Sequence, residues 1–389
     1  MSRVDVVYSL CLIFTGAALL ATFALFARQA MLIAYIFLGV ILGPWGLELV
    51  SDSKWIADAA EIGIMFLLYL LGLDLLPQKL WRMLGEALGV TLISCIGFLL
   101  LGLVSGLVFG FTLRESLFIG SVLMFSSTII GLKLIPTTAL HHRHTGQVII
   151  SVLLLQDLIA IIILLLLQGY GKGGNIAIDI GLQLLSLPVL VLIVFVFERY
   201  MLKKLIARFD QIHEYIFLLA IGWCLGIAEL ANFLGLSHEI GAFIAGVTLA
   251  ASPISLFIAE RLKPLRDFFL ILFFFSLGAS FNLDVLMDVF FPAAALATLI
   301  MVIKPYVFRL LLVLAGETRK LSMEIGVRLG QMSEFALLIC VVAVKSSFVT
   351  VEVSYLIQMA TLLSFIVSSY LVVMRYPTPI AVSDRLRRD

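Results

Sequence analysis

The sequence predicts an all-α polytopic membrane protein, and three features of the chain support this fold class. Of its 389 residues, 62% are hydrophobic and only 13% are charged, about half the charged share of a soluble domain. Apolar runs long enough for helices of about 20 residues recur along the whole chain. Charged or Gly/Pro-rich breaks separate these runs into about thirteen predicted spans. A water-soluble globule of this size could not cover its surface with so few charges.

The distribution of basic residues predicts the orientation of these spans. With the N-terminus outside, 19 of the 26 Lys and Arg residues fall in cytoplasmic loops and five fall outside. The other two, Lys304 and Arg328, lie within spans. Because cytoplasmic loops carry the excess of Lys and Arg, we expect the C-terminus and a short basic tail (376–389) to be cytoplasmic. We expect a multi-pass protein of the bacterial inner membrane.

Composition also excludes several classes of function. The net charge is +1, and no basic tract is interleaved with aromatic residues, so we expect no nucleic-acid partner. The four cysteines lie inside apolar runs without the spacing of metal ligands. Since the chain also lacks phosphate-loop and dinucleotide motifs, we predict that it is not an enzyme and holds no cofactor or resident metal.

Short motifs recur 206 or 207 residues apart, which predicts an internal repeat. They are two glycine pairs and two polar interruptions of apolar spans: Gly39 with Gly246, Gly72 with Gly278, and 126–128 with 331–334. The members of each pair lie seven spans apart. Because seven is odd, the two halves are predicted to cross the membrane in opposite directions.

The repeat suggests the domain organisation. We expect one transmembrane transporter domain over 1–389, with inverted repeats at approximately 5–169 and 213–374 and a linker helix at 177–201 between them. No soluble regulatory domain is expected within these residues.

The polar interruptions fall in the fifth span (114–136) and the twelfth span (321–344) and predict broken helices. Lipid does not tolerate unpaired backbone groups unless they line a cavity. Breaks at corresponding positions of inverted repeats are typical of the substrate site of a secondary transporter. The alternative is that Ser126, Ser127 and Thr128 only form hydrogen bonds across a helix interface.

The acidic residue in the sixth span (146–169) is the main candidate functional group. Asp157 lies near the middle of this span, where a carboxylate costs at least about 2.5–3.5 kcal/mol. Burial favours its protonated form, whereas a bound cation favours its charged form. A carboxyl group in this balance can hold a proton or a monovalent cation, which is the chemistry of an antiporter.

Neighbouring polar groups are candidate ligands for the same cation. Gln156 offers a neutral amide oxygen, and the oxygens of Ser126, Ser127 and Thr128 are expected to help replace the ion's hydration water. If Asp157 is the only acid at the site, one proton exchanges for one cation, and transport is electroneutral.

Four further charged residues are assigned supporting roles. Lys304, in the eleventh span, is expected either to neutralise the carbonyl ends of the broken helices or to pair with Asp157, unless its ammonium group extends to the interface. We expect Arg328 to form an internal ion pair with Glu61 or Glu334.

Several of these motifs together resemble the monovalent cation/proton antiporter-2 family, and within it the membrane domain of Kef-type potassium efflux systems. The resemblance covers essentially the whole chain. The motifs, in order, are Gly43-Pro44-Trp45-Gly46-Leu47, Ala60-Glu61-Ile62-Gly63, Leu71-Gly72-Leu73-Asp74, Ser126-Ser127-Thr128, Leu155-Gln156-Asp157, Gly241-Ala242-Phe243-Ile244-Ala245-Gly246 and Ser333-Glu334-Phe335.

This resemblance implies an NhaA-like antiporter fold of thirteen helices, a homodimer and an elevator-type motion. It implies that Asp157 binds the cation or the proton, and that the broken fifth and twelfth spans cross near it. Sodium antiporters of this fold often carry Asp-Asp where this chain has Gln156-Asp157, as potassium-linked members do. K⁺/H⁺ exchange is therefore the favoured prediction.

Two alternatives stay open at this stage, Na⁺/H⁺ antiport and a ligand-gated potassium efflux channel-like system. The segment 259–264 is mostly basic, whereas Kef systems carry an acidic gating loop at this place. Expected partners are the lipid bilayer and a second copy of the chain. A separate regulatory subunit, or a C-terminal nucleotide-binding domain that these 389 residues do not include, is a further possible partner.

Overall fold

The computed structural model describes residues 6–50, 54–74, 77–128, 144–170, 176–209, 211–250, 252 and 254–377. These residues form α-helices joined by short connections. The helices are α1 (Val6–Phe26), α2 (Met31–Leu42), α3 (Lys54–Asp74), α4 (Pro77–Val108), α5 (Leu113–Leu123), α6 (His144–Tyr170), α7 (Ile176–Phe197), α8 (Lys203–Phe209), α9 (His213–Phe233), α10 (His238–Ala250), α11 (Ser255–Ala279), α12 (Leu283–Leu314), α13 (Arg319–Arg328), α14 (Glu334–Lys345) and α15 (Val351–Arg375). Most of the predicted basic tail, 378–389, lies outside the described residues.

The helices have the length and composition of membrane spans. Within the described ranges, seven are long and apolar enough to cross a bilayer, and three shorter apolar helices accompany them. The fold is therefore an all-α membrane fold. The count of thirteen spans and the orientation of the termini stay predictions.

The helix predicted as a linker is longer than the sequence suggested. It was expected to end at residue 201, but α7 passes through a π-helical turn at Glu198–Leu202 and continues as α8 to Phe209. The buried Glu198 carboxylate forms an ion pair across this turn, with its Oε1 2.9 Å from Nζ of Lys203. A buried acid needs a partner, and in this structure the residue just after the π-helical turn provides it.

The helices pack as two bundles that share one hydrophobic core and are both contacted by α7. In the first bundle, α3 packs on α10 and α11, α2 packs on α1 and α11, and α9 packs on α10. The second bundle joins α12 to α4, α13 and α15, α6 to α4 and α14, and α4 to α5. Helix α7 contacts both α6 and α10, so it lies against both bundles.

Two close helix pairs, here called the glycine crossings, hold the first bundle together. At one crossing, Gly39 of α2 and Gly278 of α11 each face a backbone carbonyl of the other helix. At the other, Gly72 of α3 and Gly246 of α10 do the same. Gly39 faces the carbonyl of Phe275 and Gly278 that of Ile36, while Gly72 faces that of Phe243 and Gly246 that of Tyr69. The second crossing repeats the first, because each glycine and each carbonyl residue of one crossing has a counterpart 206 or 207 residues away in the other.

Gly246→Ala is expected to destabilise the protein by about 1–3 kcal/mol or more, because its Cβ would overlap the Tyr69 carbonyl. Gly222→Ala on α9 is the matched control, because a Cβ there meets no atom within 4 Å. The control should be neutral or slightly stabilising, since alanine favours the helix. Thermal unfolding of the two purified variants in detergent measures the difference. Equal melting temperatures would contradict the close crossing.

Candidate functional site

The predicted interruption of the fifth span is a break in helical structure. Helix α5 ends at Leu123, residues 124–127 are not helical, and helical structure resumes at Thr128. The break is held from outside the span, because the backbone N–H of Ser126 donates to Oε1 of Gln156 at 3.0 Å. Both residues are buried. A side-chain acceptor from α6 thus replaces the carbonyl that a continuous helix would supply.

The twelfth span is broken at the corresponding place. Helix α13 ends at Arg328 and α14 begins at Glu334. The Ser333 hydroxyl caps α14 by accepting from the Phe335 N–H at 3.1 Å. Within the break, the Met332 N–H donates to the hydroxyl of Ser364 on α15 at 3.1 Å. Serine hydroxyls therefore accept from two backbone N–H groups in and beside this buried break, those of Met332 and Phe335.

The two breaks contact each other. The Ser126 hydroxyl donates to the carbonyl oxygen of Leu329 at 2.8 Å, and Nε2 of Gln331 donates to the carbonyl oxygen of Ser127 at 3.4 Å. All four residues are buried. The predicted interruptions, far apart in sequence, thus form one polar centre inside the second bundle.

Lys304 lies at the carbonyl ends of the broken helices, the position that the first of its predicted roles requires. Its side chain is 0% exposed. The ammonium Nζ donates to the carbonyl of Phe125 at 2.6 Å and to that of Gln331 at 3.2 Å, and it lies 3.5 Å from the Ser126 hydroxyl. Helix C-termini carry partial negative charge, so one cation stabilises the ends of both α5 and α13.

Asp157 lies at this centre, 2% exposed on α6. The Thr128 hydroxyl and the buried Glu334 carboxyl lie beside it, the latter close enough to repel its charge. Neither Oδ2 of Asp157 nor Oγ1 of Thr128 has a hydrogen-bond partner among the described residues. Within the described part of the chain, Asp157 and Thr128 therefore each keep an oxygen without a hydrogen bond at the centre.

The predicted ligand residues divide into two groups. Ser126 and Gln156 already use their side-chain oxygens to hold the break, and the Ser127 carbonyl accepts from Gln331. Asp157 and Thr128 keep an oxygen without a hydrogen bond within the described chain. The first group holds the break, and the second group leaves oxygens at the centre without a hydrogen bond in the described ranges.

The predicted partners of Arg328 and Glu61 are corrected by the structure. Arg328 pairs with Glu324, one helical turn earlier, at 3.0 Å and also donates to the Pro377 carbonyl at 3.0 Å. Glu61 instead lies 3.5 Å from Lys345 and 3.7 Å from His238. Arg328 therefore fastens the C-terminal segment to α13, and the Lys345–Glu61 pair joins the second bundle to the first.

Three residues of the centre were not predicted as site residues. Gln331 bridges the breaks, and Ser364 and Ser368 of α15 bind the α13–α14 break through Met332 and Gln331. The available signal was the run of buried polar residues along α15, which recurs every three or four positions. Such a stripe predicts a buried helix face with polar partners.

Comparison with known proteins identifies the family. The sequence model of a family described as "Sodium/hydrogen exchanger, transmembrane" matches residues 12–374. The chain belongs to this exchanger family. Its motifs had predicted the monovalent cation/proton antiporter-2 group and a Kef-type membrane domain, and the relatives below confirm that prediction.

Two relatives within the exchanger family illustrate the match. "K(+) efflux antiporter 4" of Arabidopsis thaliana is 30% identical over 321 residues, covering 80% of this chain and 54% of the relative. "Glutathione-regulated potassium-efflux system protein KefC" of Klebsiella pneumoniae (strain 342) is 29% identical over 372 residues, covering 93% of this chain and 59% of the relative. The chain thus spans between half and three-fifths of the length of these relatives.

A solved structure shows the same fold. The sodium proton antiporter MjNhaP1 of Methanocaldococcus jannaschii superposes with a TM-score of 0.71, covering 94% of this chain and 95% of that one. The two sequences are 18% identical, so the likeness concerns the arrangement of helices. It agrees with the predicted all-α antiporter fold.

Proposed function

We propose that the chain is the membrane domain of a monovalent cation/proton antiporter and exchanges K⁺ for H⁺. The observation that carries the proposal is the buried Asp157 carboxyl beside two helix breaks in contact, with one oxygen that forms no hydrogen bond to the residues the structure describes. A carboxyl group in this position is stable as the neutral acid or as a carboxylate that binds a cation. It cannot hold both ligands at once, and that competition couples the two fluxes.

The site residues take different roles in this proposal. Asp157 binds the proton or the cation, and Thr128 contributes its free hydroxyl oxygen. Ser126, Ser127 and Gln156 hold the break, while Lys304 neutralises the helix ends that face it. The dehydrated ion therefore meets oxygens that the fold has fixed in advance, which lowers the cost of ordering them on binding.

Two observations support K⁺ as the cation. The printed names of the Arabidopsis and Klebsiella relatives refer to potassium efflux. The residue before Asp157 is Gln156, so the pair brings one carboxylate to the ion rather than two. As long as Glu334 stays neutral, the site carries one negative charge, and a lower charge favours the ion that loses its hydration water more readily.

We also propose an elevator motion of the second bundle against the first, in a homodimer. The motion rests on the grouping of the helices into two bundles, with α7 packed on both, and the homodimer rests on the family resemblance alone. The Lys345–Glu61 ion pair, with side chains 67% and 34% exposed, would break during that motion. Exposed pairs contribute about 0–1 kcal/mol, so this contact would not prevent it. We propose that the two inverted repeats, at approximately 5–169 and 213–374, form the scaffold in which this motion takes place.

We further propose electroneutral exchange of one cation for one proton. Glu334 places a second buried carboxyl beside Asp157, so the proposal requires that Glu334 keep one protonation state throughout the cycle. Glu334→Gln, which fixes that state as neutral, should then retain the stoichiometry of the wild type. An oxonol dye should report no membrane potential during exchange by either protein. A potential generated by the wild type alone would contradict electroneutrality and assign a second proton to Glu334.

The function itself is tested with purified protein in liposomes containing a pH-sensitive dye. Imposed gradients of K⁺, Na⁺, Li⁺ and Rb⁺ are compared at several pH values, with protein-free liposomes as the control. We expect K⁺ to move protons most effectively. Proton movement with Na⁺ alone would indicate Na⁺/H⁺ antiport, and cation currents without proton movement would indicate a channel. Absence of movement with all four cations would overturn the proposal.

A further inference from the structure

The Gln331 side chain lies between the two breaks and contacts both of them. Its Nε2 donates to the Arg328 carbonyl at 2.9 Å and to the Ser127 carbonyl at 3.4 Å. Its backbone carbonyl accepts from Lys304 at 3.2 Å. Gln331 is 0% exposed. One residue of the twelfth span thus joins the end of α13, the fifth-span break and the buried lysine.

The orientation of this amide is fixed by the chemistry of its partners. Both groups at Nε2 are carbonyl oxygens, which only accept hydrogen bonds, so the NH₂ group must face them. The opposite end, Oε1, accepts from the Ser368 hydroxyl at 3.0 Å. Ser368 is 0% exposed and lies on α15, outside both broken spans. A hydroxyl of a continuous helix therefore holds the amide that spans the breaks.

We propose that Ser368 is a positioning residue for the cation site and acts through Gln331 on the Ser127 carbonyl. Ser127 immediately precedes Thr128, whose hydroxyl lies beside Asp157. Without the Ser368 donor, the buried Oε1 of Gln331 lacks a partner and the amide is free to turn away from Ser127. The Thr128 oxygen then loses its fixed place, and the site binds its cation more weakly.

The chain provides a close control for this proposal. Ser369, the next residue on α15, is 2% exposed, and its hydroxyl has no hydrogen bond within the described ranges. Ser368→Ala and Ser369→Ala remove the same atom from adjacent buried positions. Only the first removes a bond to Gln331. Ser368→Thr keeps the donor and is the conservative variant for rescue.

The first test measures order in the breaks and does not depend on the proposed function. Amide hydrogen exchange is followed by mass spectrometry on the purified proteins. Ser368→Ala is expected to speed exchange in peptides covering 124–128 and 329–333, while Ser369→Ala and Ser368→Thr match the wild type. Unchanged exchange in Ser368→Ala, or equal acceleration in Ser369→Ala, would overturn the positioning role.

The second test rests on the proposed antiport and uses the liposome assay with K⁺. For Ser368→Ala we expect the KM for K⁺ to rise about 3- to 10-fold, the value of one hydrogen bond, with maximal rate within about twofold of wild type. In a Gln331→Met background, Ser368→Ala should change the KM by less than about twofold. Additive effects, or an unchanged KM in Ser368→Ala, would overturn the proposal. If the wild type is inactive in liposomes but the hydrogen-exchange results are as expected, the proposed antiport is refuted and the positioning role of Ser368 stands.

Discussion

Replacing Asp157 with asparagine is expected to reduce cation-driven proton movement to the level of protein-free liposomes. An amide does not change its protonation state near neutral pH and brings no charge to the cation, so both competing ligands lose their common site. Gln156 cannot substitute for it, because its oxygen accepts from the Ser126 N–H. The liposome assay with a pH-sensitive dye measures this loss directly.

The loss should occur without damage to the fold. Asp157→Asn removes a buried ionisable group, and such groups are costly in a bilayer, so its melting temperature should equal or exceed that of the wild type. Asp288→Asn, which neutralises an exposed acid on α12, is the matched control and should retain full activity. Persistent exchange by Asp157→Asn would assign the proton to another residue.

Lys304→Met is expected to destabilise the protein by about 2–4 kcal/mol. The substitution leaves the buried carbonyls of Phe125 and Gln331 without their charged donor, and each hydrogen bond to a charged group contributes about 1.5–3 kcal/mol. Removal of the lysine's own burial cost offsets part of this loss. Thermal unfolding in detergent should show a lower melting temperature.

Lys345→Met is the control for that experiment. Its ammonium is exposed and pairs with Glu61 at 3.5 Å, so its removal should change the free energy of unfolding by no more than about 1 kcal/mol. If both lysine variants melt together with the wild type, the buried ammonium does not stabilise the helix ends, and the role assigned to Lys304 is wrong.

The positions of the helix breaks could be predicted from the sequence alone. Ser126, Ser127 and Thr128 interrupt an apolar run, and hydroxyl side chains form local hydrogen bonds that compete with the helix. The matching interruption near Ser333 stands at the repeat distance. Composition, polar interruptions and spacing are local or periodic properties, so they can be read without knowledge of tertiary contacts.

The choice between alternative partners of the charged residues could not be predicted in the same way. Lys304 lies 179 residues from Phe125 and 27 from Gln331. Its choice of the helix-end carbonyls depends on how α12 packs against both breaks, which no local pattern encodes. The proximity of Glu334 to Asp157 likewise arises only when the broken span meets α6. The prediction of electroneutral transport therefore counted Asp157 as the only acid at the site.

One missed pairing did have a signal in the sequence. Glu324 and Arg328 are four residues apart with the acid first, the favoured order for an ion pair within a helix. The prediction instead joined Arg328 to Glu61 or Glu334, with Arg328 taken to lie within a membrane span beside the break. In the structure α13 is a ten-residue helix whose end meets the C-terminal segment at Pro377.

The glycine crossings carry a consequence for biosynthesis. Gly72 and Gly246 are 174 residues apart, and Gly39 and Gly278 are 239 apart. At ribosomal rates of about 5–20 residues per second, roughly 10–50 s pass between the synthesis of α2 and α3 and that of the helices that cover them. During this interval their small-residue faces are open to lipid or to other nascent helices. The first bundle therefore cannot be completed until the second half of the chain has been synthesised.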